Sequence, residues 1–214
     1  MTPSALLLDL DGTLVDSEPV HRAAYRAFFE ARGWDSPDLS LFTGRRAEDV
    51  FAAEPGPWAG HDLDALAAEV TALVDVSGSP DPVAGATALI AAAHRLGVPV
   101  AVVTSAGPAW THQAIDGPLD SRERIDLVVT ADDVVDGKPD PTGYRLACER
   151  LGVDPASALA VEDSPAGVRA AVAAGVGEVV GISTTHPAAE LTEAGAGRVV
   201  PDLVDLANRL AAGR

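Results

Sequence analysis

The chain has 214 residues, of which 47% are apolar and 22% charged, and it carries a net charge of −17. This suits one large domain or a core with an appendage, and so acidic a body argues against nucleic acid and anionic membrane surfaces as partners. A lone cysteine, Cys148, excludes an internal disulfide, no apolar run approaches the roughly 18 residues of a membrane span, and the N-terminus lacks a signal-peptide pattern, so the expectation is a cytoplasmic protein, a monomer or weak homodimer.

Residues 4–11, SALLLDLD, read as a strand buried on both faces, as in a parallel sheet. The next stretch breaks the strand pattern. Residues 21–33, HRAAYRAFFEARG, and 61–75, HDLDALAAEVTALVD, have apolar positions at helical spacing, and no convincing strand lies between them. A helical insertion over residues 18–80 is expected, with hinges near Val15–Pro19 and Ser79–Pro82. From residue 83 onward strands and helices alternate. VAGATALIAAAHRL (83–96) is helical and stops at Gly97; VPVAVVTS (98–105) is an apolar strand; a helix follows over 107–119. IDLVVTADD is a third strand and TGYRLACERLG (142–152) a core helix that would bury Cys148 as an inert thiol. SALAVEDS (157–164) is the fourth strand; it leads into a helix capped by Ser164, with Pro165 at its first position and Gly175 at its end. EVVGIS and GRVVPD supply the last strands and 202–212 the last helix. The alternation predicts an α/β fold: a three-layer, Rossmann-like core with a mostly parallel sheet, built from residues 1–17 and 81–214, interrupted by an α-helical cap over 18–80.

In such sheets sites form beyond the carboxyl ends of the strands. The first strand ends in Asp9-Leu10-Asp11-Gly12-Thr13, the second in Thr104-Ser105, and the fourth in Glu162-Asp163-Ser164. The third leads through Asp132 and Asp133 to Lys138. Asp-Gly turns, Thr-Ser caps and Glu-Asp-Ser helix starts are each ordinary; all of them on one sheet edge are not. Lys138 is the only lysine beside 14 arginines. A compact ammonium is thus retained where a planar fork would not serve.

Asp9, Asp11, Glu162 and Asp163 would repel one another without a cation. All-oxygen ligands that leave room for water and a phosphate oxygen suit Mg²⁺. A calcium EF-hand is excluded, because counting from Asp9 the loop's sixth position is Leu14 where glycine is needed and its twelfth is Val20 where glutamate is needed. The set fits phosphoryl transfer. An aspartate attacks phosphorus, Mg²⁺ and a lysine relieve the anion–dianion repulsion, and Thr104 with the backbone N–H groups after it holds phosphate oxygens. A second carboxylate two residues on, about 6–7 Å away on the same strand face, protonates the leaving alcohol and later activates water. Asp9 and Asp11 have that spacing.

DLDGTLVDS, VVTS, GKPDP and VEDSPAGVRAA resemble, in order, the four signature motifs of the haloacid dehalogenase superfamily. The resemblance implies Asp9 as nucleophile, Asp11 as general acid/base, Thr104 and Lys138 as phosphoryl ligands, and a Mg²⁺ site of Asp9, the Asp11 carbonyl, Asp163 and Glu162. It further implies a substrate-binding set of Gly12, Thr13, Asp16, His21, Arg45, Arg46 and Ser105, with holding the hinge as the alternative role for Asp16. Two adjacent arginines cannot share a helix face, so at most one of Arg45 and Arg46 is expected to point at the site, and Trp34, Trp58 and Trp110 are expected to pack. Asp11 counts against dehalogenase chemistry, since the dehalogenases of the superfamily lack that second aspartate. The insertion looks like the helical cap of the phosphoglycolate phosphatase and β-phosphoglucomutase branch. GRRAEDV, VTADDVVDGKPDPTGYRLACERLGVDP and STTHPAAEL resemble enzymes acting on sugar and polyol phosphates. The implied activity is a Mg²⁺-dependent phosphatase for a small phosphorylated sugar or polyol, with a β-phosphoglucomutase or a phosphoglycolate phosphatase as alternatives.

Overall fold

The computed structural model describes residues 2–76 and 79–213. Residues 77 and 78, near the expected end of the insertion, lie outside the described residues. Among the described residues the strands in chain order are β1 (Leu6–Leu8), β2 (Val15–Asp16), β3 (Asp81–Pro82), β4 (Val100–Val103), β5 (Leu127–Val129), β6 (Leu159–Glu162), β7 (Glu178–Ile182) and β8 (Arg198–Val200). The helices are α1 (Glu18–Ala31), α2 (Ala47–Ala53), α3 (Leu63–Val76), α4 (Ala86–Leu96), α5 (Pro108–Asp116), α6 (Thr142–Leu151), α7 (Pro165–Ala173), α8 (Ala188–Glu193) and α9 (Val204–Ala211). No helix among the described residues is long and apolar enough to cross a membrane.

Six strands form one sheet in the order β5-β4-β1-β6-β7-β8, every neighbouring pair parallel. The apolar runs explain the layering. Leu6 and Leu8 face Leu89 and Ile90 of α4 and Leu206 of α9, while Leu7 faces Tyr144 of α6 and Val168 of α7. Successive side chains of a strand point to opposite faces, so a strand covered on both must be apolar throughout. Burying each such leucine is worth about 1.5–3 kcal/mol.

Chain order places the site. β1 is central, with β4 on one side and β6 on the other. The strand order reverses there, and the carboxyl ends of three adjacent strands open onto one crevice. Their next residues are Asp9, Thr104 and Asp163.

Helices α1, α2 and α3 pack around a separate apolar cluster that includes Phe28, Phe29, Phe42, Phe51 and Trp58. In α1 the buried positions Ala24, Tyr25, Phe28 and Phe29 fall on one face. Between this cluster and the sheet, β2 and β3 pair antiparallel, Val15 opposite Pro82 and Asp16 opposite Asp81. These are the segments where hinges are expected. The sequence offers no strand signal there, because a two-residue ladder has no periodicity to read. Helix α8 also escapes the sequence reading, since its six residues with one buried side chain, Leu191, form too short a stripe.

Candidate active site

Asp9 leaves the end of β1 buried. Its Oδ1 accepts from Lys138 Nζ at 2.5 Å. The same ammonium donates to the Val103 carbonyl at 3.0 Å and pairs with Glu162 Oε1 at 2.5 Å. Glu162 is fully buried at the end of β6, and its Oε1 also accepts from the Tyr144 hydroxyl at 2.5 Å. The lysine thus spans the ends of three adjacent strands. Its three N–H donors match its three partners.

Asp163 follows Glu162 and is also buried. Its Oδ2 and its carbonyl accept from the Thr185 hydroxyl, and the carbonyl also lies 3.2 Å from His186 Nδ1. Its Oδ1 is buried and has no partner among the described residues. Gly12, at φ 78°, sits so close to the Asp163 carboxylate that a Cβ there would collide with Oδ2. Only glycine fits both that conformation and that approach. Thr184 Oγ1 ties the Gly12 carbonyl to the loop after β7.

Oxygens of Asp9, Glu162 and Asp163 all lie within 4.8 Å of one another. Burial pushes Asp9 up to about 8; Lys138 opposes this rise, and the Glu162 and Asp11 charges add to it. Asp163 stands well above the usual carboxylate range because of burial first and then the Asp9 and Glu162 charges. Burial works against the charge on Lys138, but Asp9 and Glu162 outweigh it and hold the ammonium above its ordinary range. Burial, then the Glu162 and Asp9 charges, keeps the Tyr144 phenol protonated. Three carboxylates against one ammonium leave a negative excess that only protons or a cation can offset. The open Asp163 Oδ1 and the all-oxygen donor set fit a hard divalent cation. Glu162 is already shared between Lys138 and Tyr144, so Asp163 offers the freer ligand atom.

Asp9, Asp11, Gly12, Thr104, Ser105 and Asp163 line a cavity of about 250 Å³, together with His21, Arg45 and Arg46 among others. Thr104 Oγ1 accepts from the Ala106 N–H at 3.0 Å, which shapes the turn into α5. Two residues of the expected substrate set are not brought to this cavity. Thr13 is fully buried, its hydroxyl without a partner among the described residues, and Asp16 is exposed on β2. Lys138 reaches the site from behind Asp9 and does not line the cavity.

The helix-face argument does not apply to Arg45 and Arg46, because both precede α2 and Arg46 stands at its N-cap position. Both line the cavity. Arg45 pairs with Glu54 at 3.0 Å. Arg46 pairs with Asp49 at 2.9 Å and donates to the Val135 carbonyl at 2.8 Å, on the loop that carries Lys138. Gly44 packs directly on Ser164, where any Cβ would collide with the serine side chain. The helical insertion is therefore seated on the sheet edge.

Trp34 and Trp58 pack in the helical cluster as expected. Trp110 does more than pack. It is buried against the sheet, and its Nε1 donates to Asp11 Oδ1 at 2.9 Å. His21 Nε2 lies 3.6 Å from the same oxygen. Sequence reasoning missed Trp110, Tyr144 and Thr185 as site residues. Trp110 and Tyr144 read as helix-core aromatics, and Thr185 lies in a stretch noted only for its resemblance. Each acts through a polar atom on an otherwise ordinary side chain, which periodicity does not register.

A family model described as haloacid dehalogenase-like hydrolase matches residues 3–175. The chain is 42% identical over 192 residues to the validoxylamine A 7′-phosphate phosphatase of Streptomyces hygroscopicus subsp. limoneus, covering 88% of this chain and 89% of that protein. It is 33% identical over 181 residues to hexitol phosphatase A of Escherichia coli (strain K12), covering 82% and 81%. Among solved structures, mutant CbbY from Rhodobacter sphaeroides in complex with xylulose-(1,5)bisphosphate superposes with a TM-score of 0.82 at 29% identity, covering 95% of this chain and 96% of that one. The family match spans the β1, β4 and β6 tips together with Lys138, the residues that meet around the cavity, and the chain belongs to the haloacid dehalogenase-like hydrolase family.

Proposed function

We propose that this hydrolase is a Mg²⁺-dependent phosphatase that cleaves small sugar or polyol phosphate monoesters through a phosphorylated Asp9. One observation carries the reading. Asp9, held by Lys138 and beside the open oxygen of Asp163, shares a cavity with Asp11, whose side chain accepts a hydrogen bond from the neutral Trp110 indole. The names of the 42% and 33% identical relatives, both phosphatases, support the substrate class.

Asp9 attacks phosphorus. A bond forms from its carboxylate oxygen to phosphorus as the bond from phosphorus to the sugar oxygen breaks. Asp11 gives its proton to that leaving oxygen, then takes one from the water that attacks the phosphoaspartate, and inorganic phosphate departs. Lys138 lies behind Asp9, paired with its Oδ1, and balances the charge of the nucleophile. Asp9, Asp163 and the Asp11 carbonyl would hold Mg²⁺, with Glu162 adding charge and anchoring Lys138. When bound, the ion supplies charge relief between nucleophile and phosphate. The helices α1, α2 and α3 cover one side of the cavity, where closure over a bound substrate would exclude bulk water.

Purified protein should release phosphate from p-nitrophenyl phosphate and from sugar phosphates with Mg²⁺, and stop with EDTA. Conversion of a sugar phosphate to its isomer without free phosphate would overturn the reading in favour of a mutase. The metal-free site also makes a thermodynamic prediction. Asp9 holds its proton up to about pH 8, so Mg²⁺ must displace it at lower pH. Asp163 is raised as well, so Mg²⁺ affinity should rise with pH through neutrality, with protons released on binding at pH 7. Titration calorimetry in buffers of different ionisation enthalpy measures that release, and a pH-independent affinity would count against the site.

The cation inventory bears on the substrate's far end. Arg22, Arg45 and Arg46 line the cavity, and each is already paired: with Glu18, Glu54 and Asp49 respectively. Glu48 and Asp132 line it as well. A second phosphate would meet no unpaired cation among the described residues, and a like charge facing these acids costs several kcal/mol. We expect kcat/KM for hexose or hexitol monophosphates to exceed that for matching bisphosphates by about 100-fold. Equal specificity constants would refute that.

A further inference from the structure

We propose that Trp110 is the positioning residue that holds Asp11 for proton transfer; this rests on the phosphatase reading above. Trp110 lies in the first turn of α5, just past the Thr104 loop, and is buried. Its indole N–H makes the only hydrogen bond to the Asp11 side chain among the described residues, at 2.9 Å to Oδ1. His21, on α1, completes the surroundings: Nε2 is 3.6 Å from that oxygen, beyond hydrogen-bond length, and its ring is 5.4 Å from the indole.

The chemistry of the donor explains the choice. An indole N–H donates only, and it neither gives up nor accepts a proton at working pH. A carboxylic acid that accepts this bond at Oδ1 carries its proton on Oδ2. After the proton has gone to the leaving group, the carboxylate still accepts the same bond. Asp11 therefore keeps one orientation through both half-reactions, and Oδ2 is the atom that trades the proton. A histidine or lysine in the same position would compete for it. A buried indole N–H also needs a partner, so the contact constrains both groups. Phenylalanine keeps an aromatic ring in most of that space and loses the bond, leaving a small cavity whose effect does not depend on the substrate.

The test uses the leaving group. kcat/KM reports the steps up to departure of the alcohol. p-Nitrophenolate leaves without protonation, whereas a sugar alkoxide needs it. Removing a positioned acid costs on the order of 10²–10⁴-fold, and loosening one should cost a part of that. We expect Trp110→Phe to lower kcat/KM for a hexitol phosphate by about 10- to 100-fold. The loss on p-nitrophenyl phosphate should be at least about tenfold smaller. A role in core packing alone predicts equal losses on both substrates, and that result would overturn the proposal, as would no loss on either. Circular dichroism checks that Trp110→Phe is folded, and the same question is put a second way in the Asp11→Asn background. There the added substitution should leave the sugar-phosphate rate unchanged from that of Asp11→Asn alone; a further drop would again mean packing. Asp9→Asn separates the two levels. Turnover surviving in that variant removes the phosphatase mechanism itself, whereas a dead Asp9→Asn with substrate-independent losses in Trp110→Phe removes only the positioning role.

Discussion

Lys138→Arg should lower kcat by about 10³-fold although the charge is conserved. The buried ammonium directs three donors at Asp9, Glu162 and the Val103 carbonyl, at 2.5, 2.5 and 3.0 Å. These acceptors converge on a point. A guanidinium is a planar fork, wider than an ammonium, and cannot serve them all from one position. It would displace Asp9 from the crevice or leave a buried acceptor unpaired, at a cost of about 1–3 kcal/mol in stability. Steady-state kinetics on folded protein, with circular dichroism as the control, measures this. Activity above about a tenth of wild type would contradict the convergent geometry.

Asp9→Asn should abolish turnover, a loss on the order of 10⁴-fold or more, because the amide cannot form the phosphoaspartate. Acid-quenched wild type should carry a phosphoryl group on the peptide containing Asp9, and the variant should not. The same substitution should leave the metal-free protein less sensitive to pH. Burial raises Asp9 from 3.8 to about 8. Below the lower value both folded and unfolded chains hold the proton. Between the two values the unfolded chain ionises while the folded one keeps its proton, so stability falls as pH rises through this window and levels off above 8. Asparagine has no proton to lose. In EDTA, the melting temperature of Asp9→Asn should therefore fall less between pH 5 and 8 than that of wild type, each kcal/mol counting for about 2–4 °C in a chain of this size. Parallel melting profiles would show that the carboxylates are not crowded as described.

Much of this site is legible from sequence because a parallel sheet imposes its own rule. A strand covered on both faces must be apolar, so Asp9 directly after Leu6–Leu8 marks a strand end, and Thr104 and Asp163 mark two others. Strand ends of one sheet share an edge. That logic brings Asp9, Asp11, Thr104, Lys138 and Asp163 together without coordinates, and the structure gathers them. The logic fails where contact depends on which atom of a side chain finds a partner. Trp110, Tyr144 and Thr185 obey the apolar or loop pattern of their segments, and only the packing of α5, α6 and the loop after β7 turns their N–H and O–H groups toward Asp11, Glu162 and Asp163. Asp16, in the same motif, faces solvent on the two-residue ladder, at the hinge segment and away from the cavity.

The chemical types and their sheet edge follow from local pattern alone: apolar strands, carboxylates and one ammonium at the tips, and a helical insertion after the first tip. These follow from local periodicity and from the cost of burying charge within a strand. Only the tertiary structure decided how the charges are balanced. It put a single lysine among three buried acids, left one Asp163 oxygen open, and tied every cavity arginine to a carboxylate. Such pairings join residues as far apart as 9 and 138 in the chain, and Coulombic and hydrogen-bond energies depend on final distance, which no local pattern encodes.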